Sequence, residues 1–236
     1  MSSQDEGLEE EQALGFSTVI ASTVHDMKNS LGMLMQAHSA LAAKLPAELH
    51  SSREQAIIEY ESMRLNGMLV QMLGLYKLGV NQLPLQPVHV EVEDFFEAAL
   101  ARYHDILISH HIDSSYSVAT EGMLGFFDPE LVDSVIGNVI NNSIRYAKSA
   151  IHLRAWLEQE QLVLAISDDG DGYPKSMLEA QSDYILGINM SSGSTGLGLY
   201  FGARIAEQHQ RNGVYGHITI SNNSALGGGE FRIYLP

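Results

Sequence analysis

Between Ile20 and Leu45 the chain places its apolar residues at alternating intervals of four and three. The positions are Ile20, Val24, Met27, Leu31, Leu34, His38, Leu41 and Leu45, and seven of these eight are apolar. Spacing of about 3.5 residues keeps side chains on one stripe of an α-helix, and no proline interrupts it before Pro46. Pro46 ends the helix in the link L-P-A-E-L-H-S-S. Ser51 or Ser52 then caps a second helix, with Glu54 in its first turn and a later seam of Leu65, Met68, Met72 and Leu75, running to about Leu78. Two long helices with one apolar stripe each bury those stripes poorly as a lone hairpin. Two hairpins joined as a four-helix bundle bury them well, so the pattern predicts a homodimer.

Leu83-Pro84-Leu85-Gln86-Pro87 reads as a stiff linker, and beyond it the pattern changes. V-H-V-E-V alternates like a strand and D-F-F-E-A-A-L-A-R-Y like a helix. I-D-S-S-Y-S-V reads as a strand and residues 129–147 as a long helix. I-H-L-R-A-W-L and Q-L-V-L-A-I-S form two paired strands, and residues 198–210 a helix. Y-G-H-I-T-I-S and E-F-R-I-Y-L are the last two strands. The fold expected is α+β: a helical hairpin over 12–82, a linker at 83–87, and a mixed sheet with helices on one face over 88–236. Residues 1–11, rich in Asp and Glu, form an acidic tail or a frayed helix start.

Composition removes whole classes of function. The 236 residues carry 13 basic against 29 acidic side chains, a net charge of -16, which repels nucleic acid and anionic lipid. No cysteine is present, so there is neither a disulfide nor a thiolate metal site. No run approaches the roughly 18 apolar residues of a membrane span, and no leader pattern is seen, so the expectation is a cytoplasmic protein.

Four motifs carry chemistry. In L-V-D-S-V-I-G-N-V-I-N-N-S-I-R-Y-A, Asn138, Asn142 and Arg145 share one helix face opposite Val132, Val135, Ile136, Val139 and Ile144. Asparagine weakens a helix, so three within five residues point to a use: an amide oxygen ligates Mg²⁺, and an arginine one turn on suits phosphate oxygens. In L-A-I-S-D-D-G-D-G-Y-P an apolar strand ends at Asp168 in a glycine-rich turn. A carboxylate there accepts a hydrogen bond from the exocyclic amine of adenine, where guanine presents a carbonyl. The register of an EF-hand fails, because Tyr173 and Pro174 stand where a ligand and a glycine belong. In S-S-G-S-T-G-L-G-L-Y-F-G-A-R, Gly193, Gly196 and Gly198 make a loop that opens a helix, whose first amides suit a polyphosphate. G-G-G-E-F-R-I-Y-L-P closes the chain.

In this order the motifs resemble the nucleotide boxes of the sensor histidine kinases, within the superfamily that includes gyrase, the heat-shock chaperone ATPases and the mismatch-repair ATPases. N-V-I-N-N-S-I-R-Y, with Asn138, Asn142, Arg145 and Tyr146, is similar to the asparagine box. D-D-G-D-G, with Asp168, Gly170 and Gly172, is similar to the first glycine box. G-S-T-G-L-G-L, with Gly193, Thr195, Gly196, Leu197 and Gly198, is similar to the second, and G-G-G-E-F to the last. Upstream, H-D-M-K-N resembles the phospho-acceptor box. The resemblance implies ATP and Mg²⁺ as cofactors, with Asn142 as metal ligand. It implies a homodimer whose His25 attacks the γ-phosphate, with Asp26 orienting the second ring nitrogen. Asn29 would position water for dephosphorylation of a response-regulator receiver domain, the expected partner. The signal would reach the chain from a separate sensor protein, or from a sensor region if the chain is a fragment.

Three departures from the family pattern stand out. Ser30 occupies a position where many members have proline, the 173–192 lid has only Tyr184 for its phenylalanine box, and H-Q-R-N-G-V-Y-G is longer than the usual link. Two other activities belong to the same superfamily or architecture: ATP hydrolysis and a non-catalytic ATP-binding scaffold. The hydrolysing members use a glutamate four residues before the metal-binding asparagine; here that residue is Asn138, which is no base. Intact Asn142, Asp168, Gly196 and Gly198 speak against the scaffold.

Overall fold

A computed structural model of the protein describes residues 2–44, 53–80, 82–179 and 197–236, with the side chains of 2–21, 53 and 56 not included. The caps expected at Ser51 and Ser52, the seam positions Ile20 and Leu45, and Gly193, Thr195, Gly196 and Tyr184 lie outside what is described. The chain forms two compact units that divide between Pro84 and Leu85.

The first unit is a pair of helices packed on each other, α1 (Ser2–Ala42) and α2 (Arg53–Gly79). The acidic start belongs to α1. The seam read from the sequence splits into two sets. Val24 is buried, and Leu31 and His38, each seven residues on, are half-buried. On α2 Ser62 and Leu69 are buried, again seven apart. The alternate positions Met27, Leu34, Leu41, Leu65 and Met72 keep between 41% and 59% exposure. One hairpin therefore covers half of its own apolar stripe. A 3.5-residue repeat gives each helix two adjacent apolar rows, and a single partner helix fills one of them.

The second unit opens with β1 (Val88–Glu91) and α3 (Val92–Ser109), so the strand stops one residue short of the expected Val92. Then follow β2 (Asp113–Val118), β3 (Leu124–Phe127), α4 (Pro129–Tyr146), β4 (Ala150–Glu158) and β5 (Gln161–Asp168). The short α5 (Lys175–Glu179), α6 (Leu197–Gln208), β6 (Gln210–Arg211), β7 (Val214–Tyr215), β8 (His217–Ser221) and β9 (Glu230–Leu235) complete it. The main sheet has the order β2-β4-β5-β9-β8, with β2 parallel to β4 and the other pairs antiparallel. It is a mixed sheet in an α+β fold. Two pairings escaped the sequence reading: β3, which pairs with β1, and the β6–β7 hairpin. The second is turned by Asn212 and Gly213, both at positive φ (51° and 79°), which is the Asn-Gly signature of a tight hairpin.

Strand register sorts the side chains. Ile151, Leu153 and Ala155 of β4, Leu164 and Ile166 of β5, and Phe231 and Ile233 of β9 share one face and are buried. Helices α3, α4 and α6 cover that face. Helix α4 presents Val132, Val135, Ile136, Val139, Ile140 and Ile144 to it. Its start is fixed by Asp128, whose Oδ1 accepts from the amides of Glu130 and Leu131, each at 3.1 Å, with Pro129 in the first turn. The other sheet face is mixed: Val163 and Ala165 are buried on it, His152 sits between the hydroxyls of Ser115 and Ser117, and Arg154 and Arg232 flank the ring of Trp156.

Candidate functional site

Strand β5 delivers Asp168 to the edge of the core, and the two glycine clusters close around it. Asp168 Oδ1 accepts from Gly170 N at 2.9 Å and Gly229 N at 3.3 Å, while Asp168 N donates to Gly229 O at 3.0 Å. Such close backbone approach excludes side chains. A Cβ on Gly228 would lie 2.5 Å from Asp168 O, and one on Gly170 would run into the carbonyl of Tyr146. The carboxylate's second oxygen receives Ser143 Oγ at 3.4 Å and otherwise faces a cavity of about 510 Å³.

That cavity is the candidate site. Its walls include Asn142, Ser143, Arg145 and Tyr146 from α4, Asp168 and Gly172 from the first glycine cluster, and Gly229 from the last. Val139, Tyr173, Met177 and Leu199 supply apolar surface. Apolar surface beside one carboxylate suits a purine carrying an exocyclic amine. Burial pushes the Tyr173 phenol up, and the Asp168 charge adds to this, so Tyr173 stays neutral beside the carboxylate. Arg145 lies over the Tyr146 ring, 5.4 Å from its centre, and both are exposed at the cavity mouth.

Several residues singled out in the sequence sit elsewhere. Asn138 does not line the cavity. It lies beneath Gly198 at the start of α6, where a Cβ would collide with its amide nitrogen and approach its Cγ to 2.8 Å. The Asn138 Nδ2 is buried with no hydrogen-bond partner among the described residues. One turn separates Asn138 from Asn142, and that turn is the one α6 covers. Leu197 begins α6 and does not line the cavity, while Leu199 does. The other acids of D-D-G-D-G have structural duties. Burial works to raise the Asp169 pKa, but Ser149 Oγ and the backbone amides of Lys148, Ser149 and Ala150 donate to its carboxylate and hold it below the usual range. Asp171 pairs with Lys148 at 2.7 Å on the surface. Ser143 and Tyr173 are site residues that were not singled out in the sequence, although Ser143 stands next to Asn142 and Tyr173 follows the first glycine cluster. Gly229 belongs to the last glycine motif, and its backbone reaches Asp168.

In the helical unit His25 is exposed on α1, with side-chain exposure of 63%. Its Nδ1 has Asp26 Oδ1 at 3.7 Å and the Asn29 amide nitrogen at 3.3 Å. Asn29 reaches it because residues four apart share a helix face. All three side chains are open to solvent. Among the described residues no three His, Cys, Asp or Glu side chains cluster to hold a metal, and no helix is long and apolar enough to cross a membrane.

Comparison with known proteins agrees with this geometry. Residues 127–236 match the model of the histidine kinase-, DNA gyrase B-, and HSP90-like ATPase family. The sensor protein kinase PilS of Pseudomonas aeruginosa is 25% identical over 227 residues, which cover 93% of this chain and 40% of that protein. The sensor histidine kinase YkoH of Bacillus subtilis is 25% identical over 195 residues, or 78% of this chain and 41% of that one. The chain thus spans about 40% of the length of these relatives. Among solved structures, full-length ShkA in complex with AMPPNP superposes with a TM-score of 0.64 at 17% identity, over 93% of this chain and 45% of that one. The nucleotide-free catalytic domain of the histidine kinase ThkA gives 0.55 at 17% identity, over 64% of this chain and 97% of that one. Residues 127–236 are therefore similar to the histidine kinase-, DNA gyrase B-, and HSP90-like ATPase family, and over most of its length the chain is similar to proteins named sensor histidine kinases.

Proposed function

We propose that this chain is an ATP-dependent histidine autokinase that phosphorylates His25 and hands the phosphoryl group to an aspartate of a response-regulator receiver domain. One observation carries the reading. Among the described residues that line the cavity, Asp168 is the sole carboxylate, and glycine amides and Ser143 already engage it. Asn138, at the position of the hydrolytic base, is an amide turned beneath Gly198. Among the described residues a bound triphosphate thus meets no protein base placed to activate water, which favours an acceptor side chain from elsewhere.

His25 has the features of that acceptor. The Asp26 carboxylate beside Nδ1 favours the tautomer with its proton there, which leaves the lone pair on Nε2. A half-turn of the Asn29 amide brings its oxygen to the same Nδ1–H. Nε2 then forms a bond to the γ-phosphorus while the bond from that phosphorus to the bridging oxygen breaks, its electron pair leaving with ADP. In the second transfer an aspartate oxygen of the receiver attacks phosphorus, the N–P bond breaks and its electrons return to the imidazole. Asn142, exposed at the cavity wall, fits a Mg²⁺ held chiefly by phosphate oxygens, since one amide oxygen is the kind of single protein ligand that ion accepts. When bound, the ion neutralises phosphate charge. Arg145 would add a second cation at the mouth. The uncovered row Met27, Leu34, Leu41, Leu65 and Met72 supports a homodimer, with a second hairpin completing four helices.

The test is incubation with γ-labelled ATP. Label retained on the parent protein, lost in acid, stable in alkali and absent from His25→Gln, is the expected result. Release of free phosphate without protein label would make the chain an ATPase, and neither product would make it a binding scaffold.

A further inference from the structure

Asn222 lies just past the end of β8, outside the motifs read from the sequence and exposed to solvent. Its side chain makes two hydrogen bonds to the backbone of one residue. Tyr173 N donates to Asn222 Oδ1 at 2.7 Å, and Asn222 Nδ2 donates to Tyr173 O at 2.9 Å. A carboxamide so placed pairs with the chain as a neighbouring strand would. Gly172 makes room for it. With φ at +78° and no side chain, it lets the amide lie flat, whereas a Cβ would stand 2.6 Å from Asn222 Cγ and Oδ1.

The residue held in this way forms a wall of the cavity. Over Gly229 the Tyr173 ring and the Asp168 carboxylate lie side by side: a Cβ on Gly229 would meet Tyr173 Cε2 at 3.2 Å and Asp168 Oδ2 at 3.4 Å. Beyond Tyr173 the chain passes through Pro174 into α5, and Pro174, Ser176 and Met177 line the same cavity. Among the described residues, the hydrogen bonds of 173–177 beyond Asn222 stay within that segment, from Met177 N and Leu178 N to Pro174 O. The pair of bonds to Asn222 is, among the described residues, the hydrogen-bonded link between this wall and the end of β8.

We propose that Asn222 is a positioning residue of the nucleotide site, its carboxamide holding the Tyr173–Met177 wall in place against the purine. This rests on the reading of the cavity as an adenine-nucleotide site, and it adds a residue outside the motifs from which that reading came. Because Asn222 acts on the base and not on the phosphates, its loss has a distinct signature.

The experiment compares the parent, Asn222→Ala and the adjacent control Asn223→Ala by calorimetry with ATP, adenosine and inorganic tripolyphosphate, with thermal unfolding measured alongside. Losing two hydrogen bonds to one backbone residue is expected to weaken ATP and adenosine by the same factor, roughly tenfold. Tripolyphosphate affinity and the unfolding midpoint should stay at the parent's values, and Asn223→Ala should match the parent throughout. Parental adenosine affinity in Asn222→Ala overturns the proposal. So does an equal loss for tripolyphosphate accompanied by a lower midpoint, which would make Asn222 a general support of the fold. A parent that binds neither ATP nor adenosine removes the nucleotide reading itself, and this inference with it.

Discussion

Replacing Asp168 with asparagine changes one atom of the cavity wall, and the surrounding bonds dictate where that atom goes. Gly170 N and Gly229 N both point at Oδ1. The asparagine oxygen must occupy this position, because its NH₂ would face two donors there. The NH₂ is then forced to the Oδ2 position, towards Ser143 Oγ and the cavity. A bound adenine loses a hydrogen bond to a charged acceptor, about 1.5–3 kcal/mol, and gains an opposed donor that costs about 1–3 kcal/mol more. The sum, roughly 2.5–6 kcal/mol, runs from nearly a hundredfold to about ten-thousandfold in Kd. Guanine presents O6 where adenine presents its amine, so the same NH₂ becomes a partner for GTP. Asp168→Asn is therefore expected to bind ATP more weakly by about a hundredfold or more and to shift the ATP-to-GTP preference towards GTP. Calorimetry with both nucleotides measures this. Thermal unfolding should change little, since the two glycine amides keep an acceptor. An ATP affinity within about threefold of the parent's, less than 1 kcal/mol, would refute the assignment of Asp168 to the base. So would an equal loss for the two nucleotides.

Two further outcomes are expected. Asn29→Ala should autophosphorylate like the parent, since Asp26 still holds the Nδ1 proton of His25, yet dephosphorylate a purified phospho-receiver more slowly, because an amide at His25 can hold water in line with an acyl phosphate; equal loss of label from the two reactions would leave Asn29 a solvated helix residue. Asp169→Asn should unfold at a lower temperature than the parent near neutrality, and the gap should close as pH falls. The folded-state pKa of Asp169 lies below its unfolded value, so its stabilisation is present above about pH 4 and is lost as the pH drops through and below that value. Circular-dichroism melts at intervals between about pH 7 and pH 2 bracket that range, and a gap that stays constant would show that the amides of residues 148–150 do not stabilise the charge.

Much of the site was written in local spacing. The four-and-three rhythm from Ile20 onwards needs only the helix period to be understood. The strand running into Asp168 ends in glycines because backbone must approach backbone there. Asn142, Arg145 and Tyr146 reach the cavity together because positions three or four apart share a helix face. The same rule misplaced Asn138. It shares that face, yet the start of α6 packs on its turn, and only the arrival of Gly198 from sixty residues away decides this.

The sequence alone therefore determined the longer helices and most strands of the main sheet, their periodicities and the chemical types gathered in the motifs, since each depends on residues within a turn or two of one another. Tertiary structure decided which groups meet. It paired β1 with β3, joined Ser143 to Asp168 and set the Asn222 amide on Tyr173. It also divided the heptad between a row that α2 covers, with Val24 at its head, and a row that stays exposed. These contacts follow from how strands register and helices pack across long loops of chain. A one-residue slip in a strand or a 100° turn of a helix would change every one of them while leaving the local pattern intact.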